Sequence, residues 1–240
     1  MKKKTGFTLA EVLITLAIIG VVAAMTIPTL IADYQKKQWV TGLQKGYAML
    51  NQVFKMAMAV DGVECFYDTA LWKAAPKGAY GRYLGGSQQD HSAFVAELGK
   101  YMKIASWQNP DEELGFGYKN LNGEDYYTKE GRLRIFGQDG MIYYFAMQES
   151  GEGHSYNGIG VVSYAIEIDV NGKNGPNQYG RDLFELTLLE NGQVIFHGTK
   201  EWDEQIGLYW SSRCNVDGTH TYEGDYCGAR IFENGWRMDY

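Results

Sequence analysis

A single carboxylate inside an apolar run is the feature of this sequence with the clearest chemical consequence. Residues 7–27 read FTLAEVLITLAIIGVVAAMTI, and Glu11 carries the only formal charge among them. A carboxylate at membrane depth is unfavourable unless it is paired, and the run holds no lysine or arginine to pair with it. If the chain were cut between Gly6 and Phe7, the new α-ammonium of Phe7 on one copy could pair with Glu11 of a neighbouring copy.

The same run is long enough to cross a lipid bilayer. At about 1.5 Å per residue, its roughly 20 residues span the ~30 Å of a hydrocarbon core. Lys2, Lys3 and Lys4 precede it, and such a basic cluster predicts that this end of the chain stays in the cytoplasm. Two plainer interpretations compete. One is an ordinary secretory signal, with small residues at 22–24 before a cut, and the other is a simple single-span anchor.

The stretch Lys4–Ile14, KTGFTLAEVLI, closely resembles the class III signal of type IV prepilins and type II secretion pseudopilins. In that family a membrane-embedded aspartyl peptidase cuts after the glycine and methylates the new N-terminal residue. The resemblance therefore implies a cut between Gly6 and Phe7, methylation of Phe7, and a role in assembly for Glu11. Pro28 matches a proline at which helices of the family kink or locally unwind in the filament.

This resemblance implies a structural subunit, a minor pilin or a pseudopilin, of a type IV pilus or a type II secretion filament. The implied partners are homologous pilin subunits, prepilin peptidase, the inner-membrane assembly platform and membrane lipid. The implied location is the bacterial inner membrane, with a single pass, a cytoplasmic N-terminus and an exported head. After assembly the filament would be periplasmic or extracellular. A tip adhesin or a substrate-binding pilin-like module is the alternative function.

The hydrophobic pattern predicts that the first helix continues beyond Pro28 to about residue 60. The apolar residues that recur there at three- and four-residue steps are Val40, Leu43, Tyr47, Leu50, Phe54 and Ala57. Asp61-Gly62 is a natural stop. We therefore divide the chain into a leader peptide (1–6), a transmembrane helix half (7–31), an amphipathic helix half (32–61) and a globular head (62–240).

The head is predicted to be α+β, with an antiparallel β-sheet packed on the amphipathic helix half. A short helix is expected over about 90–103. The turn pairs Asp139-Gly140 and Asn191-Gly192 indicate hairpins. Strands are predicted at Phe116–Leu121, Arg132–Phe136, Met141–Met147, Val161–Val170, Leu183–Leu189 and Gln193–His197.

One loop of the head carries oxygen donors at a spacing that suggests a cation. Asp169, Asn171 and Asp182 open like the D-x-[DN] of an EF-hand, but Lys173 takes the third ligand position and no glutamate follows at position twelve. Major pseudopilins of type II secretion hold calcium in a loop beside their sheet, so the resemblance implies Ca²⁺ here. A strand-connecting turn is the alternative interpretation.

The cysteines predict one disulfide in an exported head. Cys214 and Cys227 bracket a short polar loop near the C-terminus, and an oxidising compartment would favour a bridge between them. Pilins often carry a disulfide in this region. Cys65 is then left over, and a pairing that involves Cys65 is the alternative.

Charge and motif content argue against two classes of function. The formal net charge is −7, and loss of the three leader lysines makes it more negative, so no nucleic-acid partner is expected. The four histidines are scattered without metal-ligand spacing, and no nucleophile elbow is present. We therefore expect no enzymatic activity.

Overall fold

The computed structural model describes residues 8–78, 81–84, 89–126, 131–148, 155–156, 158–200 and 210–240. It divides into two compact units, residues 1–38 and 39–240. The longest element is helix α1, Leu9–Asp61, which confirms the prediction of one long N-terminal helix. The leader peptide and Phe7 lie outside the described residues.

Short helices and an antiparallel sheet make up the rest of the described chain, so the predicted α+β class is confirmed. The other α-helices are α2 (Ala70–Lys73), α3 (Ser92–Leu98) and α4 (Cys227–Glu233), with 3₁₀ turns at Phe66–Asp68 and Trp210–Ser212. The strands are β1 (Lys77–Gly78), β2 (Gly81–Leu84), β3 (Ile104–Gln108), β4 (Leu133–Gly137), β5 (Ile142–Gln148), β6 (Ser155–Tyr156), β7 (Ile159–Asp169), β8 (Leu183–Leu189) and β9 (Val194–Phe196).

All strand pairings in the described part are antiparallel. The main order is β1-β2-β5-β7-β8-β9, while β4 joins β3 to β5 and β6 pairs with β7. Both hairpin turns lie where the sequence predicts them. Gly140 between β4 and β5 has φ +87°, and Gly192 between β8 and β9 has φ +76°. These are left-handed conformations that glycine adopts without a steric penalty.

The predicted strand at Phe116–Leu121 is wrong. Within it only Lys119 makes isolated β-bridges, to Asp125 and Gln178. The alternating aromatic residues that suggested a strand instead pack on the face of the sheet, where the Tyr118 ring lies 6.0 Å from the ring of Tyr144. Strands β1, β2, β3 and β6 were not expected, because they are short and show no clear alternation.

The second half of α1 packs closely against the C-terminal end of strand β7 and the residue that follows it. A Cβ atom on Gly42 would lie 2.8 Å from Cβ of Val170, and one on Gly46 would lie 2.9 Å from Cδ1 of Ile168. The two glycines are one turn apart on one face of the helix, so together they let the helix backbone approach the strand. These glycines therefore allow α1 to pack closely against the sheet of its own chain.

The sheet is covered on both faces, which decides where its polar side chains lie. In β5, Tyr143 and Phe145 face the main core that includes α1, whereas Ile142 and Tyr144 belong to a second cluster with Tyr118. Side chains of a strand alternate between the two faces of its sheet. Polar residues that alternate with core residues are therefore also buried, under the segments that cover the second face.

Candidate processing and assembly site

The apolar side chains of the first part of α1 have no cover within residues 1–38. Leu9 is 77% exposed and Leu30 is 70% exposed, and most of the large apolar residues between them are also exposed. Among the described helices, α1 is the one that is long and apolar enough to cross a membrane, by length and composition. A helix that is apolar around its whole circumference requires lipid or other protein around it.

Glu11 forms a reciprocal pair of hydrogen bonds with Thr8 at the start of this helix. The backbone N–H and the hydroxyl of Thr8 both donate to Oε2 of Glu11, each at 2.8 Å. In return, the backbone N–H of Glu11 donates to Oγ1 of Thr8 at 3.3 Å. This is a capping box, in which two otherwise unpaired N–H groups of the first turn find partners.

The capping box gives Glu11 a role inside its own helix that the sequence analysis missed. Its signature, a threonine followed three residues later by a glutamate, is visible in Thr8-Leu9-Ala10-Glu11. Thr8 supplies hydrogen bonds but no positive charge, so a cation would still be needed to neutralise the carboxylate. Gly6 and Phe7 lie outside the described residues, and the pairing of Phe7 with Glu11 remains a prediction.

Helix α1 continues without a break through Pro28. A proline inside a helix has no N–H to donate to the preceding turn. Two threonine hydroxyls beside it bond back to helix carbonyls, Thr26 to the carbonyl of Val22 at 3.0 Å and Thr29 to that of Met25 at 3.2 Å. Each hydroxyl is thereby satisfied within the helix, as apolar surroundings require. A kink at Pro28 in an assembled filament remains a prediction.

The first calcium candidate, Asp182, organises a turn through its carboxylate. Oδ2 accepts the backbone N–H of Asn177 at 2.8 Å, and Oδ1 accepts that of Gln178 at 2.7 Å. The carbonyl of Asp182 accepts the N–H of Val170 at 2.8 Å, which joins this turn to the end of β7. Hydrogen bonds from backbone N–H groups to an aspartate side chain are typical of a strand-connecting turn, which is the alternative to a cation site.

The structure brings the other two candidates to the same turn. Asp169 accepts a hydrogen bond from the Tyr118 hydroxyl at 2.6 Å and one from the Asn171 backbone at 3.2 Å. Burial, together with the nearby charge of Asp182, raises the pKa of Asp169 to about 8 despite these hydrogen bonds. The side-chain oxygen of Asn171 is buried and has no partner among the described residues. Two carboxylates and a spare amide oxygen fit a hard cation by donor type.

The predicted disulfide between Cys214 and Cys227 is present, with Cα atoms 4.9 Å apart. Cys65 is a free thiol. Inside the loop that the bridge closes, the buried carboxylate of Glu223 accepts backbone N–H groups from Asn215 at 2.7 Å and His220 at 3.3 Å. The disulfide and Glu223 together fix this loop against the start of α4.

A layer of buried charges under the second face of the sheet was not predicted. Glu167 forms an ion pair with Arg132, and Arg213 pairs with Asp225 at 2.9 Å. Burial is the largest cause that raises the pKa of Asp225, and the nearby charge of Glu185 raises it further, while Arg213 opposes both. In the sequence, Glu167 alternates with apolar residues in the way that a half-exposed strand does, so nothing marks it as buried.

Comparison with known proteins gives one informative match. Residues 1–27 match the model of the prokaryotic N-terminal methylation motif. No curated protein and no solved structure shows a significant match to the chain. Proteins that carry this motif are structural subunits, and the motif is read by prepilin peptidase. This chain therefore carries, at residues 1–27, the prepilin-type cleavage and methylation signal of type IV pilins and pseudopilins.

Proposed function

We propose that the chain is a minor pilin or pseudopilin, a structural subunit of a type IV pilus or a type II secretion filament. The observation that carries this proposal is the prepilin-type signal, which runs directly into an apolar helix with exposed side chains. The signal explains how the helix is processed, and the exposed helix explains what it does afterwards. Lipid covers it first, and the helices of other subunits cover it in the filament.

In this proposal, cleavage between Gly6 and Phe7 creates a new N-terminus that is then methylated. The α-ammonium of Phe7 pairs with Glu11 of an adjacent subunit and fixes the axial register. Each subunit offers different surfaces to the subunits above and below it, so the association does not close on itself and a filament grows. The head, residues 62–240, is exported in this proposal.

The proposal is tested by the abundance of the chain in filaments sheared from the native host. A minor subunit should be present at a small fraction of the dominant subunit, and only when prepilin peptidase is active. Loss of protein secretion on deletion of the gene would indicate the secretion filament, whereas loss of surface fibres would indicate a pilus. Absence of the chain from filaments of either kind would contradict the proposal.

The second candidate function is a ligand-binding module at the tip of a filament. It is favoured by an open cavity with aromatic walls within residues 39–240, between Tyr47, Phe196 and Phe232. A tip module should occur about once per filament, and its loss should abolish adhesion or substrate capture while fibres still form. Unchanged adhesion and unchanged capture in the deletion strain would exclude this function.

We further propose that Asp169, Asn171 and Asp182 hold Ca²⁺. The support is the donor set described above, in which two mutually repelling carboxyls lie beside an amide oxygen without a partner. Calcium at millimolar concentration should raise the melting temperature of the full chain in detergent, and magnesium should do so less. An unchanged melting temperature and no heat in calorimetry would exclude the calcium site and leave the strand-connecting turn as the interpretation.

A further inference from the structure

An open cavity of about 290 Å³ lies where helix α1, strand β9 and helix α4 meet. Tyr47 of α1, Phe196 of β9 and Phe232 of α4 form its aromatic floor. Binding pockets for small molecules combine apolar and aromatic walls with a few converging polar groups, and their volumes begin near 300 Å³. This cavity is therefore of a size to hold one small ring rather than a folded segment.

The rings of the aromatic floor pack against one another and against a fourth ring, that of Trp236. The rings of Tyr47 and Phe196 stack with centroids 4.9 Å apart, and Trp236 contacts Phe196 at 5.8 Å and Phe232 at 5.5 Å. Trp236 has φ +61°, a conformation that non-glycine residues rarely adopt, and its N–H bonds to the carbonyl of Ile231 at 2.8 Å. This bond is that of a C-terminal helix cap, and the cap brings the indole against the rings of Phe196 and Phe232.

Phe196 is buried at 2% exposure, so the ring of this floor that is open to solvent is chiefly that of Phe232. Phe232 is 40% exposed, which is unusual for a ring that packs against three others. An exposed aromatic face that is fixed in place binds the apolar face of a ligand with little loss of side-chain entropy.

Polar groups of both hydrogen-bonding types surround this floor. The amide of Gln193 both donates and accepts, the ammonium of Lys200 donates, and the carboxylate of Glu233 accepts the Lys200 backbone N–H at 2.6 Å. The hydroxyl of Thr199 has no partner among the described residues. A purely apolar ligand would leave such groups unpaired, which is unfavourable.

We propose that this cavity binds a single hexopyranose residue of a glycan. A pyranose ring has one face of C–H groups, which suits a fixed aromatic floor, and a rim of hydroxyls that both donate and accept. Gln193, Lys200 and Glu233 line the cavity and would be the partners of that rim. This inference rests on the second candidate function and does not involve the transmembrane helix half, residues 7–31.

The test uses the purified full chain in a detergent without a sugar headgroup, since glucoside and maltoside detergents would occupy the site. Methyl glycosides of common hexoses are titrated while tryptophan fluorescence is followed, because the indole of Trp236 contacts the ring of Phe232. At least one hexose should bind with a Kd on the order of 1 mM, as expected for a ligand of this size.

Two variants and one control make the result specific. Phe232→Ala and Gln193→Ala should each weaken binding about tenfold or more, because one removes exposed floor and the other removes rim contacts. Tyr222→Ala, which truncates another exposed aromatic residue outside the cavity lining, should bind like the wild type.

Three outcomes would overturn the proposal. They are no binding of any hexose by a chain whose circular dichroism is native, equal binding by Phe232→Ala, and tighter binding of phenol than of every sugar. If the chain still localises to filament tips in those cases, the second candidate function is retained and only the sugar as its ligand is excluded.

Discussion

Glu11 has two partners in this account, and single substitutions can separate them. Within its own helix it completes a capping box with Thr8. In the filament it is proposed to pair with the N-terminus of a neighbouring Phe7. Glu11→Gln keeps a side-chain oxygen that can accept the Thr8 N–H, as glutamine does in natural capping boxes, but removes the charge. Thr8→Ala removes the capping hydroxyl and leaves the charge in place.

The expected magnitudes differ enough to be measured. Glu11→Gln leaves the ammonium of each neighbour without a counter-charge at membrane depth. We expect this to reduce the equilibrium constant for adding one subunit to the filament by roughly a hundredfold. Thr8→Ala loses an N-cap worth about 1 kcal/mol. This loss lowers the stability of the helix, by roughly fivefold in its equilibrium constant. Glu11→Val loses both contributions and should assemble no better than Glu11→Gln.

The assay is complementation of a deletion strain with each variant. The amount of chain in sheared filaments is compared with the amount left in the inner membrane, and the size of the membrane-held chain reports cleavage. All variants should be cleaved, Glu11→Gln should remain in the membrane, and Thr8→Ala should largely assemble. If Glu11→Gln assembles normally while Thr8→Ala does not, the carboxylate serves its own helix and the pairing hypothesis is refuted.

Three further predictions concern the stability of residues 39–240. Gly46→Ala should destabilise the full chain by about 1 kcal/mol, because overpacking against Ile168 outweighs the gain in helix propensity. The double variant with Ile168→Val removes the nearest clashing atom and should recover much of that loss. The raised pKa of Asp225 means that the folded state holds a proton that the unfolded state releases near pH 4. Stability from this group is therefore full below about pH 4 and declines as the pH rises towards the folded pKa, by at most about 1.4 kcal/mol per pH unit. Replacing Cys214 and Cys227 by serine should cost about 3 kcal/mol.

Urea denaturation of the full chain in detergent measures all three, and each has its own opposing result. Equal stability of Gly46→Ala and wild type would mean that the helix does not approach the strand as closely as described. Asp225→Asn should reduce the slope of stability against pH between 5 and 8, to which Asp169 also contributes, and an unchanged slope would assign the proton to another group. The cysteine variant should match the reduced wild type, and a clear difference between them would point to strain from the serines.

Most of the secondary structure was predictable because its signals are local. Helix α1 follows from an unbroken apolar run joined to a three- and four-residue period, and it ends at Asp61 beside Gly62. The hairpins around Gly140 and Gly192 follow from Asp-Gly and Asn-Gly pairs that favour a positive φ. The disulfide follows from two nearby cysteines in a segment for which the sequence predicts export.

The failures come from contacts between distant parts of the chain. Phe116–Leu121 has the alternation of a strand, but its aromatic rings cover the sheet instead of joining it. The alternation predicts that Glu167 faces solvent, yet it is buried, with Arg132 beside strand β4 as its ion-pair partner and the Tyr179 hydroxyl as a hydrogen-bond donor. The capping role of Glu11 is local and was missed only because its apolar surroundings suggested a different partner.

The central claim is that the working form of this chain is a cleaved, assembled subunit. The most direct test is the intact mass and N-terminal sequence of the chain recovered from sheared filaments of the native host. The recovered chain should start at Phe7 and carry one methyl group on its α-amine. A chain in the filaments that still begins at Met1, or one cut near Met25 as a secretory signal would be, would contradict that claim.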